Sequence, residues 1–159
     1  NIYSKIRVLD QLLSDSFFDV VRTKNEIGYI AQNSMSSFGC KDDQVVYYTF
    51  FTQSGVKEPD FIKGVFNDYM KKIKGYIDYD NLDNAKMIII NNLLKDKYTL
   101  SQEFSEDSMI VGGNRVYGYV KKLASKVKTV TKDDIEQLVD ECILNSNPLV
   151  ITVTDNEKN

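Results

Sequence analysis

The chain has 159 residues, of which 42% are hydrophobic, 27% charged and 11% aromatic. This length and composition indicate one globular domain and exclude a disordered chain. The 20 basic and 23 acidic residues give a net charge of −3, whereas nucleic-acid binding favours a basic face. No apolar stretch approaches the ~20 residues of a membrane span. We therefore expect neither a nucleic acid nor a membrane among the partners.

Histidine is absent from the chain. This excludes histidine-dependent catalysis and nearly every common type of zinc site within the sequence. The cysteines Cys40 and Cys142 are far apart and form no C-x-x-C pair, which favours two free thiols, buried or half-buried, over a disulfide. The chain begins at Asn1 without a Met and enters an amphipathic pattern almost at once, so we expect a piece of a longer protein. No signal peptide is visible at its start, and we favour the cytoplasm as its location.

The first half of the chain predicts one helix and one hairpin. Apolar residues recur at three- and four-residue steps over 4–22, which predicts an amphipathic helix. The segment 45–52 is β-branched and aromatic, the strongest strand signal in the chain. We expect it to pair with 28–32, with the turn at 42–43. Both of its faces are largely apolar, which predicts a central strand or one with helices on one side and a partner surface on the other.

The second half predicts four helices and a final strand. Pro59 suits the first turn of a helix, and apolar residues continue at helical spacing to Ile73. Further helices are expected over 82–93, from about 101 to 127 with an interruption at 112–113, and from a capping box at 131 to 142. Pro148 should end the last helix, and Leu149–Val153 is predicted as a short strand. The fold class is α+β, an antiparallel sheet with several helices packed on one face, in a single domain 1–159.

Several charged or glycine-rich clusters are candidate sites for metal, phosphate or membrane binding. The acidic clusters lack the spacing of a calcium-binding loop and mostly stand at predicted helix starts, where carboxylates favour the helix dipole. The lysine runs lie on polar helix faces and in final turns, and the glycine pair lacks a phosphate-binding frame. We interpret all of them as structural: Asp42/Asp43, Asp78/Asp80/Asp83, Glu103/Glu106/Asp107, Asp133/Asp134/Glu136, Lys71/Lys72/Lys74, Lys121/Lys122/Lys126/Lys128 and Gly112/Gly113/Asn114.

The junction between the first helix and the hairpin carries one of only three arginines, Arg22, followed by Gly28 and Tyr29. A guanidinium there can hold a carbonyl or carboxylate in a planar fork. Glycine permits close backbone approach, and a tyrosine hydroxyl can donate to an oxygen that becomes negative during acyl transfer. The residues alone favour a simpler alternative, in which Arg22 pairs with Glu26 or Asp19 and the tyrosine packs in the core.

The pattern Arg22-Thr-x-x-x-x-Gly28-Tyr29 after an amphipathic helix resembles the R-T-x-E-Q-L-G-Y segment of the insulinase/pitrilysin zinc metallopeptidases, and most closely their insulin-degrading-enzyme branch. The similarity continues in order through Phe50–Ser54, the helix after Pro59, Leu100-Ser101 and Thr131–Ile135, so it covers nearly the whole chain. Asn25-Glu26-Ile27 stands where Glu-Gln-Leu is usual, which leaves the local hydrogen bonding open.

The resemblance implies a C-terminal domain from a clamshell of two halves that enclose a chamber. Zinc would be the cofactor of the full-length parent, held on an H-x-x-E-H helix outside this chain, and no residue here is expected to bind a metal or cofactor. By the same resemblance Arg22 and Tyr29 are the catalytic and substrate-binding residues. Arg22 would contact the peptide near the scissile bond, and Tyr29 would donate to its carbonyl oxygen. The implied partners are a peptide substrate and the N-terminal half of the same polypeptide; a homodimer of the parent is left open.

Two alternatives belong to other functional classes. Members of such families that have lost their zinc ligands serve as scaffolds or binding subunits, although a scaffold has no need of both Arg22 and Tyr29. The chain could also be an unrelated α+β interaction module in which the match is a coincidence. An H-x-x-E-H motif several hundred residues before Asn1 would indicate the peptidase, and a degenerate motif would indicate the scaffold.

Overall fold

A computed structural model of the protein describes residues 2–38, 45–96, 99–101, 104, 108 and 118–154. Within these residues a helix is followed by two strands and then by further helices. The elements in chain order are α1 (Ile2–Phe18), β1 (Ile30–Phe38), β2 (Val45–Gln53), α2 (Pro59–Lys72), α3 (Leu82–Leu94), α4 (Tyr119–Lys128) and α5 (Lys132–Val139). Two π-helical turns, Asp19–Lys24 and Asp140–Leu144, extend α1 and α5, and two 3-10 turns, Ile73–Tyr76 and Tyr79–Asn81, link α2 to α3.

Helix α1 lies at the centre of the fold and contacts β1, α3, α4 and α5. Its apolar positions recur at helical spacing, so one side of the helix is buried almost completely. The helices after the hairpin add a smaller number of buried apolar side chains each, which is the pattern of helices with one face in water. The buried apolar side chains of α1 are Ile6, Val8, Leu9, Leu12, Leu13 and Phe17.

The strands β1 and β2 form an antiparallel hairpin in which Ile30 pairs with Gln53 and Phe38 with Val45. Side chains alternate along β2 between exposed and half-buried positions, because successive residues of a strand point to opposite faces. The half-buried face packs against the core that α1 dominates, and the other face is open. The prediction of helices on one side of an antiparallel sheet is confirmed.

An aromatic cluster joins α1, β2 and α2. The ring centroid of Phe17 lies 5.0 Å from that of Phe50, 5.6 Å from Phe66 and 5.3 Å from Tyr69, all in edge-to-face geometry. Such pairs add about 0.5–1.5 kcal/mol each beyond the area that they bury. The buried hydroxyl of Tyr69 shares a hydrogen bond of 2.9 Å with Ser16 Oγ, and burial raises the pKa of Tyr69 to about 12.

A polar cluster ties α1 to both strands. The Asp10 carboxylate accepts hydrogen bonds of 2.9 Å from the Tyr48 hydroxyl and from the Asn33 amide, and Asn33 also donates to the Tyr48 oxygen. Burial raises the pKa of Asp10, with the two hydrogen bonds and Arg7 acting in the opposite direction. Burial likewise raises the pKa of Tyr48. A buried polar group without partners is costly. A shift of the hairpin relative to α1 would break these hydrogen bonds, so the cluster fixes the position of the hairpin on the helix.

The predicted helices are present where the structure describes them. Pro59 occupies the first turn of α2, with Glu58 as the preceding cap residue. Thr131 caps α5 through the reciprocal pattern of a capping box: its hydroxyl accepts from the backbone amide of Asp134, whose carboxylate accepts from the Thr131 amide. The turn at 42–43, the glycine pair 112–113 and most of the helix expected from residue 101 lie outside the described residues.

The prediction of a final strand over Leu149–Val153 is wrong. This segment forms no helix or strand, and the only sheet in the described part of the chain contains β1 and β2. Its apolar side chains are 59–90% exposed. β-Branched composition makes a strand only where a neighbouring strand supplies ladder hydrogen bonds, and no such neighbour meets this segment among the residues described.

Acid should weaken the attachment of α5 to α1 through Asp134. A salt bridge of 2.7 Å from Lys5 and the backbone hydrogen bond from Thr131 lower the pKa of Asp134 to about 2. Because the folded pKa lies below that of the unfolded chain, about 3.9, the stabilisation is complete above pH 4 and is lost as the pH falls through 2. Asp134→Ala should reduce the free energy of unfolding by about 1 kcal/mol at pH 7, and the difference from wild type should shrink towards pH 2.

Chemical denaturation across this pH range measures that difference. The control is Asp133→Ala, in the same first helical turn, which should give a smaller and flatter difference. An equal pH dependence for both variants would contradict the assignment.

Among the described residues, no helix is both long and apolar enough to cross a membrane.

Candidate functional site

Arg22 and Tyr29 lie on the short junction between α1 and β1. The helix widens into the π-helical turn Asp19–Lys24, which contains Arg22, and Asn25 ends it. Glu26 then adopts a φ of 50°, a left-handed conformation that non-glycine residues rarely take. Ile27 is fully buried, and its amide donates to the Val21 carbonyl at 3.2 Å. Ile27 therefore anchors the junction in the core. The side chain of Tyr29, two residues later, lies at the surface.

The Arg22 guanidinium lies between two aromatic rings. Its central carbon is 4.9 Å from the ring centroid of Phe18 and 5.3 Å from that of Tyr29. Guanidinium groups stack favourably on aromatic faces, and the stacking leaves the edge N–H donors directed outwards. Arg22 and Tyr29 are thus brought together, and both residues are exposed.

The structure contradicts the simpler alternative, in which Arg22 pairs with Glu26 or Asp19 and Tyr29 packs in the core. Asp19 pairs with Lys24 at 2.9 Å, and this hydrogen-bonded pair raises the pKa of Lys24. No acidic side chain in the described part of the chain forms a salt bridge with Arg22. Tyr29 is 88% exposed rather than packed in the core. The N–H donors of Arg22 and the hydroxyl of Tyr29 are therefore accessible to a ligand, and what they do towards a substrate stays a prediction.

Gly28 is required by close backbone approach. A Cβ atom at this position would lie 2.0 Å from the Gln53 carbonyl oxygen and 3.1 Å from Ser54 Cα, distances that no side chain can occupy. The contact brings the start of β1 against the end of β2, where the Thr52 hydroxyl donates to the Ile30 carbonyl at 2.7 Å. Gly28 therefore determines the backbone position of Tyr29, which directly precedes β1.

An apolar depression of about 300 Å³ adjoins Tyr29. It lies where the junction meets the end of β2, and it is lined by Gly28, Tyr29, Ile30, Gln53, Gly55 and Val56. The phenol of Tyr29 thus lines an apolar surface, and the Arg22 guanidinium lies over the ring of the same tyrosine. Such an arrangement can bind a molecule that offers carbonyl or carboxylate oxygens next to an apolar group.

The charged clusters that are described have structural partners. Asp78 accepts from the Asp80 amide, Asp83 pairs with Lys86 at 2.7 Å, and Lys74 pairs with Asp140 at 2.6 Å. The lysines of α4 lie exposed on its polar face. The clusters at 42–43 and 103–107, the glycine pair and Cys40 lie outside the described residues. Cys142 is a free thiol, but the prediction that it is buried or half-buried on the inner face of the last helix is wrong, because its side chain is exposed.

No group of three or more Cys, Asp or Glu side chains among the described residues is arranged to hold a metal ion. Together with the absence of histidine from the whole sequence, this means that the residues seen here do not fit a zinc centre of the usual kinds.

Two residues of the site were missed by sequence reasoning. Phe18 was left out because it falls beside, and not on, the apolar stripe of α1; the available signal was an aromatic residue four positions before Arg22, where helical side chains meet. Asn25 was noted only as a departure from the family pattern. Its amide donates to the Val20 carbonyl at 2.7 Å, a contact that spacing in the sequence does not reveal.

Comparisons with known proteins agree with this fold. The family model described as PQQ synthase PqqF-like, C-terminal lobe domain 4, matches residues 8–107, more than half of the chain. The chain is also similar to the crystal structure of pitrilysin, with a TM-score of 0.74 and 19% sequence identity over 88% of this chain. At this identity the likeness shows the fold alone, and the chain spans 15% of the pitrilysin chain. Comparison with curated proteins gave no match.

Proposed function

We propose that this chain has a peptide-binding role. The proposal proceeds from the family: the chain belongs to the PqqF-like, C-terminal lobe domain 4 family and is a C-terminal domain of an insulinase/pitrilysin-type peptidase. In the full-length parent, a zinc metalloendopeptidase, the domain completes the substrate chamber and packs against the N-terminal half. It brings Arg22 and Tyr29 to the wall of that chamber. The observation that carries the proposal is the exposure of both side chains, with the Arg22 guanidinium over the ring of Tyr29 and Tyr29 lining an apolar depression.

Arg22 binds the peptide main chain in this proposal. Its guanidinium has five N–H donors, and stacking on Phe18 and Tyr29 restricts the orientation of the plane before substrate arrives. A side chain ordered in advance loses less conformational entropy on binding. The bound carbonyl is held in a fixed direction next to the depression, which accepts a neighbouring apolar side chain.

Tyr29 stabilises charge that develops on the substrate. A peptide carbonyl oxygen becomes an oxyanion when a nucleophile adds to its carbon, and a hydroxyl aimed at that oxygen lowers the barrier. The neighbouring guanidinium adds positive potential at the same place. Tyr29 moves no proton in this scheme; it donates a hydrogen bond that strengthens in the transition state.

The metal chemistry of the parent lies outside this chain. The described residues offer no cluster of metal-binding side chains, and the sequence has no histidine. The purified chain should accordingly show no peptidase activity by itself. An activity of the purified chain that survives chelation and further purification would contradict the proposal.

Arg22→Gln in the full-length parent tests the binding role. Loss of hydrogen bonds to a charged group is worth about 1.5–3 kcal/mol, so kcat/KM on a quenched fluorescent peptide should fall about 10- to 150-fold, mainly through KM. Lys121→Gln removes one positive charge from the exposed face of α4 and is the control. Unchanged kinetics for Arg22→Gln, at an unchanged free energy of unfolding, would exclude Arg22 from the substrate site.

The upstream sequence of the parent distinguishes the peptidase from the scaffold alternative. An intact H-x-x-E-H motif before Asn1 favours the peptidase, whereas a degenerate motif favours a scaffold or binding subunit. The exposure of Arg22 and Tyr29 favours the peptidase, because a scaffold gains nothing from holding these two side chains together at the surface.

A further inference from the structure

We propose that Asn25 is a positioning residue, whose side-chain amide holds the guanidinium of Arg22 in the orientation that binds substrate. The positioning itself is a property of this chain; its effect on catalysis rests on the proposed function. Asn25 touches neither the substrate nor the reacting atoms in this scheme. It acts on the π-helical turn from which the Arg22 side chain leaves the backbone.

The contact spans that turn. The Asn25 amide nitrogen donates to the Val20 carbonyl oxygen at 2.7 Å. Val20 is the second residue of the turn Asp19–Lys24, and Asn25 is the residue directly after it. The last carbonyls of a helix lack donors from a following turn, and the Asn25 side chain supplies a donor to one of them.

The neighbouring carbonyl is held as well. The Ile27 amide donates to the Val21 carbonyl at 3.2 Å. The carbonyls of Val20 and Val21 belong to the two peptide planes that immediately precede the Cα atom of Arg22. Because both planes are held, the positions of the Arg22 N and Cα atoms are restricted, and this limits the directions from which the side chain can approach Phe18 and Tyr29.

Two further local constraints act on Tyr29. The buried side chain of Ile27 and the close approach of Gly28 to the Gln53 carbonyl determine where the aromatic ring emerges. Asp19, the acidic residue nearest in sequence, is engaged by Lys24 at 2.9 Å and so does not orient the guanidinium.

The spectroscopic test uses the 159-residue chain, which contains three arginines. Stacked between two rings, the Arg22 Nε–Hε proton should resonate upfield of its free-peptide position because of ring currents. Asn25→Ala and Asn25→Asp both remove the donor, and each should return this resonance towards the free position. Asn84→Ala, which removes an amide that donates to Asn81 at 3.0 Å in another helix, should leave it unchanged. A resonance that stays upfield in both Asn25 variants would overturn the proposal.

The kinetic test uses the full-length parent and a double-mutant cycle. Loss of one neutral hydrogen bond corresponds to about a fivefold effect, so Asn25→Ala should raise KM about fivefold with kcat within twofold of wild type. In the Arg22→Gln background the same change should have no further effect, because the residue that it orients is gone. A merely structural role would lower the folded fraction and hence apparent kcat, and it would do so in both backgrounds.

The two failures are distinguishable. If Arg22→Gln leaves the kinetics unchanged, the proposed function fails, while the upfield resonance and its loss in the Asn25 variants still decide the positioning role. If Arg22→Gln raises KM but the effect of Asn25→Ala adds to it in full, the proposed function stands and Asn25 is not a positioning residue for Arg22.

Discussion

Tyr29→Phe in the full-length parent is expected to lower kcat about 30- to 900-fold, equivalent to about 2–4 kcal/mol of transition-state stabilisation. The change removes one hydroxyl and keeps the ring that stacks with Arg22. Because the side chain is 88% exposed, the fold loses almost nothing, and the free energy of unfolding should stay within about 0.5 kcal/mol of wild type. Steady-state kinetics on a peptide substrate, with denaturation of the same preparation, measure both quantities.

KM distinguishes this role from simple binding. A hydrogen bond that forms fully only in the transition state affects kcat and kcat/KM equally and leaves KM unchanged. Tyr79→Phe is the matched control, since the buried hydroxyl of Tyr79 has no hydrogen-bond partner among the described residues, and its loss should leave kcat unaltered. If Tyr29→Phe leaves kcat unchanged, Tyr29 is only part of the wall beside Arg22.

Gly28→Ala should destabilise the chain by about 1–3 kcal/mol. The new methyl group would meet the Gln53 carbonyl oxygen at 2.0 Å and the Ser54 Cα at 3.1 Å, and both are backbone atoms that cannot rotate away. The first pair of the hairpin, Ile30 with Gln53, must therefore separate, which displaces Tyr29. We expect the parent carrying this variant to lose activity even where it remains folded. Thermal and chemical denaturation measure the stability change.

Gly64→Ala supplies the comparison for that substitution. Gly64 lies inside α2, and a Cβ atom there would meet nothing within 4 Å. Alanine in a helix interior is more favourable than glycine by about 0.5–1 kcal/mol, so this variant should be more stable than wild type. Equal stability changes for the two variants would show that the close approach at Gly28 has no energetic consequence.

The sequence predicted the elements more reliably than their contacts. Apolar spacing located α1, α2 and α3, and the capping box located the start of α5, because these signals are local. The strand prediction for Leu149–Val153 was wrong for the same reason: composition measures how well residues suit a strand, and pairing depends on what lies alongside. The contact of Asp10 with Tyr48, 38 positions apart in the sequence, could be found only from the fold.

The site was predicted in part. Arg22 and Tyr29 were recognised through the family pattern. The structure brings them together, with the central guanidinium carbon of Arg22 5.3 Å from the ring centroid of Tyr29. The hydrophobic spacing did not predict that α1 widens into a π-helical turn, because a single wider turn changes the spacing of the apolar residues only slightly. The hydrogen bond of Asn25 depends on that turn and could not be predicted, whereas the four-residue spacing from Phe18 to Arg22 was a local signal that the sequence did offer.

The open hairpin has a consequence for how the chain behaves in isolation. Each of its two strands has one side without a hydrogen-bonded neighbour in the described structure, and neither carries a charged residue or a proline. Those are the features that natural proteins place on exposed strands to discourage self-association. Separated from its parent, the chain should therefore self-associate as its concentration rises. Dilute solutions, or a fused domain that covers the strand edges, should suit its preparation best.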